Sequence, residues 1–154
     1  MKFEAPLLVV DDINRSRAFY CDVFDLEVVM DFGENITFNA GFSLQDKALW
    51  AKFIDAKEKE IVYRGNDMEL YFEEDNLDDF LEHLKKFEHI EYLHGVKEYA
   101  WGQRVIRFYD LDYHIIEVGE SLTMVCRRFN AQGMTVAEIV ARTMLPVEVV
   151  KSYF

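Results

Sequence analysis

Two carboxylates, one guanidinium and several phenols fall on a single parity in the second half of this chain. Leu70-Tyr71-Phe72, Val105-Ile106-Arg107-Phe108-Tyr109 and Ile115-Ile116-Glu117-Val118 are short β-branched and aromatic runs of strand type. Successive side chains of a strand point to opposite faces. One face then carries Leu70, Phe72, Ile106, Phe108, Ile116 and Val118, is apolar throughout, and packs under helices. The other carries Glu69, Tyr71, Glu73, Val105, Arg107, Tyr109, Ile115 and Glu117. A few polar groups set among apolar side chains make the lining of a small-molecule cavity. The alternative is the solvated side of an open sheet, and Glu73 is read that way. Glu117, flanked by Ile115, Ile116 and Val118, has to find a partner or be neutralised. Arg107 shares its face and can pair with Glu69 or Glu117.

Other side chains with chemical potential are more isolated. Trp101-Gly102 precedes a strand, at the mouth of such a cavity, although a core or subunit-contact role fits Trp101 equally well. Trp50 is a second large ring of interest. His114 stands three residues from Glu117, on the opposite parity, and reads as a turn residue. His83, His89 and His94 have no ligand spacing and read as solvated. Cys21, beside Phe19 and Tyr20, reads as packing. There is no Ser-His-Asp order, nucleophile elbow, phosphate-binding loop or dinucleotide fingerprint.

These residues need elements to hold them. Pro6–Val10 is an apolar strand run, and Asp11-Asp12 caps a helix from Ile13 to Phe24 with a stripe of Ile13, Phe19 or Tyr20, Val23 and Phe24. Strand-like stretches follow at Leu26–Phe32, Ile36–Ala40 and Ala48–Ile54, the first two joined at Gly33-Glu34-Asn35. Asp55–Glu60 reads as a charged linker. The order then recurs: strand Met68–Phe72, a helix capped by Asn76 running to Glu88, and strands Glu91–Glu98, Arg104–Tyr109 and His114–Val118. Laying Ile13 on Leu77, a shift of 64 residues, places Asp11 on Asp75 and Asp12 on Asn76. So β-α-β-β-β occurs twice, by element order more than by residue identity. A ferredoxin-like sandwich with extra strands is the alternative.

Composition bounds the function. With 154 residues, 51% hydrophobic and 15% aromatic, the chain can bury a core as one domain. A net charge of −12 repels phosphate backbones and anionic lipid, which argues against nucleic acid and membrane as partners. No apolar run approaches the ~20 residues that span a bilayer. The start of the chain lacks the pattern of a signal peptide, and two cysteines without a CxxC fit a reduced, cytoplasmic protein.

Two stretches carry a family resemblance. Residues 101–118, Trp101-Gly102-Gln103-Arg104 through Asp110-Leu111-Asp112-Tyr113 to Glu117-Val118, resemble the C-terminal signature of the glyoxalase/bleomycin resistance/extradiol dioxygenase (vicinal oxygen chelate) superfamily. There, a strand enters an Asp-Pro-Asp-Gly-like turn and the next strand ends in a metal-binding Glu. Leu8–Tyr20, with Ser16-x-x-Phe19-Tyr20, resembles the family's first strand and helix. The likeness covers about residues 1–120. It implies an α+β fold of two βαβββ modules, about 4–54 and 66–119, forming a curved, mostly antiparallel sheet cleft. It also implies a homodimer. The family's metal ligands map to Ala5, a position near Ala51 to Phe53, Glu69 and Glu117. Glu69 and Glu117 are thus the candidate catalytic and metal residues. Glu117 would ligate a divalent metal, and Glu69 would ligate or act as base. The usual first-strand His is Ala5, and the fourth place looks apolar, so Mg²⁺ or Mn²⁺ held by two carboxylates and water is one reading. The other is a metal-free cavity in which Arg107 stands where relatives hold the ion. Trp101, Arg107, Tyr109 and Tyr71 are the candidate ligand-binding residues. The activity implied is a metal-assisted lyase or isomerase. The alternatives are a sequestering protein without catalysis and a ligand-sensing module.

The last segment, 121–154, departs from the rest. It carries a net +2, leaving −14 on the remainder. Leu122, Val125, Cys126 and Phe129 form a helical stripe from Ser121 to Ala131. Gly133 stops it, Thr135-x-x-Glu138 opens a second helix to Met144, and Pro146 opens a third. The last two helices are spaced like a helix-turn-helix. A DNA-reading helix should be basic, and the last one offers Lys151 against Glu148. The tail is therefore expected to pack on the core or on a second subunit through Val136, Ile139, Val140, Val147, Val149 and Val150.

Overall fold

The computed structural model describes all residues, Met1–Phe154. In chain order the elements are β1 (Leu7–Val10), α1 (Ile13–Phe24), β2 (Val28–Asp31), β3 (Asn35–Phe38), β4 (Ser43–Asp46) and α2 (Lys47–Phe53). After a single 3-10 turn at Glu58–Glu60 come β5 (Glu69–Glu74), α3 (Leu77–Leu84), β6 (Tyr92–Glu98), β7 (Arg104–Tyr109) and β8 (Ile115–Glu120). The helices α4 (Leu122–Ala131), α5 (Val136–Thr143) and α6 (Val147–Lys151) end the chain. The fold is α+β, with two mixed four-stranded sheets in the orders β1-β4-β3-β2 and β5-β8-β7-β6. This is the doubled βαβββ layout expected. The chain divides into two compact units, Met1–Met68 with Tyr109–Ile115, and Glu69–Phe108 with Ile116–Phe154.

In the first unit, β1 runs parallel to β4, and β3 is antiparallel to β4 and β2. Asp12 caps α1 by accepting from Arg15 N at 3.0 Å, and Asp25, at φ 54°, ends it. The helix buries Ser16, Phe19, Tyr20 and Val23 against Leu8, Val10, Ile36, Phe38 and Leu44. Tyr20 anchors the cluster, with its ring centroid 5.6 Å from that of Phe38 and 5.1 Å from that of Phe42.

One expected strand is a helix. Ala48–Ile54 does not extend the sheet. The strand there is Ser43–Asp46, and Lys47–Phe53 turns into α2. Asp46 ends the strand and caps the helix, accepting from Leu49 N at 2.8 Å. Lys, Ala and Leu dominate this segment, and all favour helix over strand. The expected metal position near Ala51 to Phe53 is therefore helical. The uniform shift of 64 fails because the strands after α3 are longer than those after α1. α3 likewise stops at Leu84 instead of Glu88.

In the second unit the apolar parity is buried in β7 and β8, at Ile106, Phe108, Ile116 and Val118, and half-buried in β5, at Leu70 and Phe72. Leu77 and Leu84 of α3 are buried as well. Asn76 caps α3 as expected, accepting from Asp79 N. The tail folds onto a cluster of its own. Val125, Cys126 and Phe129 of α4 meet Ile139 of α5 and Val150 of α6, with Val136, Val140 and Leu145 around them. Val147 is instead exposed.

Candidate functional site

Arg107 organises the mixed face of the second sheet. Its Nε donates to Glu69 Oε2 at 2.9 Å, its Nη1 donates to the Tyr99 hydroxyl at 2.6 Å, and its Nη2 pairs with Glu117 Oε2. β7 places the guanidinium, β5 supplies Glu69 and β8 supplies Glu117. The pairing foreseen from shared parity is thus made with both carboxylates at once. Glu117 is 7% exposed, so Arg107 is the compensation that burial of its charge requires. Burial works against the charge on Arg107, but Glu69 and Tyr99 outweigh it and raise its pKa. Two carboxylates and one guanidinium leave this cluster with one negative charge in excess.

An aromatic shelf adjoins it. Tyr99 and Trp101 stack with ring centroids 4.7 Å apart and planes 3° apart. The Trp101 indole N–H donates to Gln103 Oε1 at 3.1 Å, and Gln103 Nε2 donates to the Tyr71 hydroxyl at 2.8 Å and to the Glu120 carbonyl at 2.9 Å. Gly119 makes room for this: a Cβ there would sit 2.8 Å from Gln103 Nε2 and 3.2 Å from the Tyr71 ring. Tyr71 donates in turn to Glu73, which is exposed as expected. Burial pushes the Tyr71 phenol up to about 12, so it is a neutral hydrogen-bonding group at pH 7.

Tyr109, grouped with these residues by parity, belongs to the first unit. Its hydroxyl donates to Asn66 Oδ1 at 2.8 Å and the Arg64 guanidinium lies over its ring. The first sheet carries a neutral polar ladder. Asn35 Nδ2 donates to Gln45 Oε1 at 3.1 Å, and the Thr37 and Ser43 hydroxyls lie 2.8 Å apart. Its amides and hydroxyls bring no charge.

Sequence reasoning passed over Tyr99, Gln103, Glu120 and Arg104. Tyr99 lies two residues before Trp101, in the turn between β6 and β7 that brings the two rings together. Glu120 shares the apolar parity of Ile116 and Val118, and a carboxylate there called for a partner as Glu117 did. It is 3% exposed and takes Arg104 Nε at 3.2 Å and Arg128 Nη2 at 2.8 Å. His114 is also more than a turn residue: its Nδ1 lies 2.8 Å from Asp110 Oδ2.

The donors do not fit a metal. Glu69 and Glu117 are both turned onto Arg107, Ala5 stands ahead of β1 at the place expected for the first-strand ligand, and no three His, Cys, Asp or Glu side chains converge as a ligand set.

The two stretches that carried the resemblance meet in the first unit. In the turn between β7 and β8, Asp110 accepts from the Tyr20 hydroxyl at 2.7 Å and from the backbone of Asp112 and His114. Asp112 accepts from Ser16 Oγ at 2.9 Å, from Asp11 N at 3.1 Å and from Arg15 Nη2 at 3.2 Å. The Ser-x-x-Phe-Tyr motif and the Asp-x-Asp turn are thus donors and acceptors of one buried network. They specify a fold and leave the reaction open.

That fold has a family. Residues 3–123 match the model of the glyoxalase-like domain, and the chain belongs to that family. Among solved structures, a protein of unknown function from Agrobacterium tumefaciens str. C58 is 40% identical with a TM-score of 0.70, covering 79% of this chain and 94% of that one. The fosfomycin resistance protein FosX of Listeria monocytogenes is similar in fold at 20% identity and TM-score 0.56, with coverage of 79% and 93%. A lactoylglutathione lyase from Agrobacterium tumefaciens is similar at 23% identity and TM-score 0.56, with coverage of 78% and 93%. No curated protein matches the sequence. No helix is long and apolar enough to cross a membrane.

Proposed function

We propose that the mixed face of the second sheet binds a small, flat, cationic molecule without a metal, and that the protein sequesters its ligand. The observation that carries this reading is the Arg107 guanidinium, committed to Glu69, Glu117 and Tyr99. An arginine so engaged has little left to offer an anionic ligand. The excess carboxylate and the Tyr99–Trp101 shelf favour a cation with a π-face. The metal-assisted lyase or isomerase that the family resemblance implies would require Arg107 to release both carboxylates.

Tryptophan fluorescence tests this with two probes of one shape, the N-methylquinolinium ion and quinoline-2-carboxylate. The cation should quench Trp101 saturably, and Trp101→Phe should abolish the effect. Absence of cation binding, or tighter binding of the carboxylate, overturns the reading. So does calorimetric Mn²⁺ binding below millimolar that Glu117→Gln removes. We propose in addition a cytoplasmic homodimer, in keeping with two free thiols and open strand edges in each sheet. Sedimentation at twice the 18.2 kDa chain mass supports the dimer, and a monomer at micromolar concentration refutes it.

A further inference from the structure

The hairpin end that carries the aromatic shelf is held from outside. Between β6 and β7 the chain makes a tight turn, with Tyr99 N donating to Gln103 O at 3.0 Å and Gly102 N to Tyr99 O at 2.8 Å. Gly102 has φ +91°, and the Phe129 ring of α4 occupies the space a Cβ there would need. Arg128 Nη2 donates to Gly102 O at 2.6 Å. Arg128 is itself fixed by the buried Glu120, through Nε to Oε1 at 3.2 Å and Nη2 to Oε2 at 2.8 Å. At the end of β6, Glu98 accepts from Arg142 of α5 at 2.7 Å and lies 3.6 Å from Arg128 Nη1. Arg142 and Arg128 also lie over the faces of the Phe129 ring's π-system, 4.4 and 5.0 Å from its centroid. The tail thus grips the turn at its glycine and at its first flank.

From these contacts we infer that the C-terminal helices are a positioning device for the binding face. Arg128 and Phe129 set the pose of the Tyr99–Trp101 stack, and through the Tyr99 hydroxyl they set the head of Arg107. This rests on the reading of that face as the ligand site. The physical logic is pre-organisation. Hairpin ends are ordinarily mobile, and a ligand that stacks on one must bear the entropy of ordering it. Here the order is already imposed by α4 and α5, so it is not subtracted from affinity. The charge supports the division of labour: the tail is the cationic segment of an acidic chain, and three of its cations are Arg127, Arg128 and Arg142.

The test uses the full-length chain. Arg128→Gln keeps much of the side chain's length but loses the fork that joins Glu120 to Gly102. Arg127→Gln, on the same helix, removes a bond to the Tyr153 carbonyl and serves as control. Amide hydrogen exchange at Tyr99–Gln103 and the near-ultraviolet dichroism of the Tyr99–Trp101 pair report the loop without any ligand. Arg128→Gln should speed exchange at those amides and flatten the dichroism, while Arg127→Gln changes neither. The affinity of Arg128→Gln for N-methylquinolinium should fall about tenfold. Unchanged exchange and dichroism in Arg128→Gln overturn the inference, as does unchanged affinity where the wild type binds. If Arg128→Gln unfolds the tail, Glu98→Gln loosens the other flank and is read by the same signals. A wild type that does not bind the probe removes the proposed function alone, and exchange at Tyr99–Gln103 still decides the tail's role.

Discussion

Glu117 keeps a carboxylate between the apolar Ile116 and Val118 because Arg107 lies against it, and neither residue can be neutralised singly without loss. Glu117→Gln should destabilise the fold by about 2 kcal/mol, less than a fully buried pair because Arg107 is partly solvated. Arg107→Met should cost at least as much, since it leaves Glu69 and Glu117 facing each other unpaired. Urea unfolding measures both, and equal midpoints for wild type and Arg107→Met would refute the bridging role. In the first unit, Tyr20 is fully buried and its hydroxyl serves Asp110. Tyr20→Phe orphans part of that carboxylate and should cost about 1–3 kcal/mol by the same measurement. Parity alone brought Arg107, Glu69 and Glu117 together in the sequence. It did not show which carboxylate Arg107 would choose, because that depends on backbone spacing across three strands.

At the scale of elements, short polar caps proved the most legible feature. Asp12, Asn76 and Thr135 each accept from the backbone at the helix start foreseen for them, and Ser121, expected within a helix, caps α4 instead. The capping box of Thr135 and Glu138 is complete. The misread segment was α2, where Trp50 and Phe53 suggested a strand while Asp46 and the surrounding Ala and Lys directed a helix. The tail helices were legible as helices, but their seat was not: their apolar stripes fit one another, a second subunit or the core equally well on paper. Cys126 reports on that seat. It is fully buried, and burial pushes its thiol up. Iodoacetamide should therefore modify Cys126 only as fast as the tail opens, and Arg128→Gln should accelerate that modification. Rapid modification in the native wild type would show that α4 is not docked.

For the molecule as a whole, acid should act through Glu120. Burial pushes this carboxyl up, but Arg128 and Arg104 outweigh burial and hold it below the ordinary 4.5. A carboxylate whose pKa is depressed in the fold adds stability above its unfolded value and loses it as pH falls through the folded one. Urea midpoints should therefore drop as pH falls below 4.5, and Arg104→Gln should make that drop shallower. An unchanged acid limb in Arg104→Gln would refute the assignment. Acid also protonates other carboxylates and so lessens the self-repulsion of a chain that carries a net charge of −12, which offsets part of this loss.

The sequence by itself determined the doubled βαβββ order, the apolar and mixed parities of the second sheet, and the caps at Asp12, Asn76 and Thr135. These follow from local rules: the two-residue period of a strand, the turn of a helix, and the hydrogen-bond chemistry of Asp, Asn and Thr. Only the tertiary structure decided that Arg107 bridges Glu69 and Glu117, that Asp110 and Asp112 serve Tyr20 and Ser16, and that Phe129 closes over Gly102. Each of these joins residues far apart in the chain, and their partners are selected by distances of a few ångströms that no local pattern encodes. The site's excess carboxylate charge, and with it the class of ligand proposed, is a consequence of that long-range pairing.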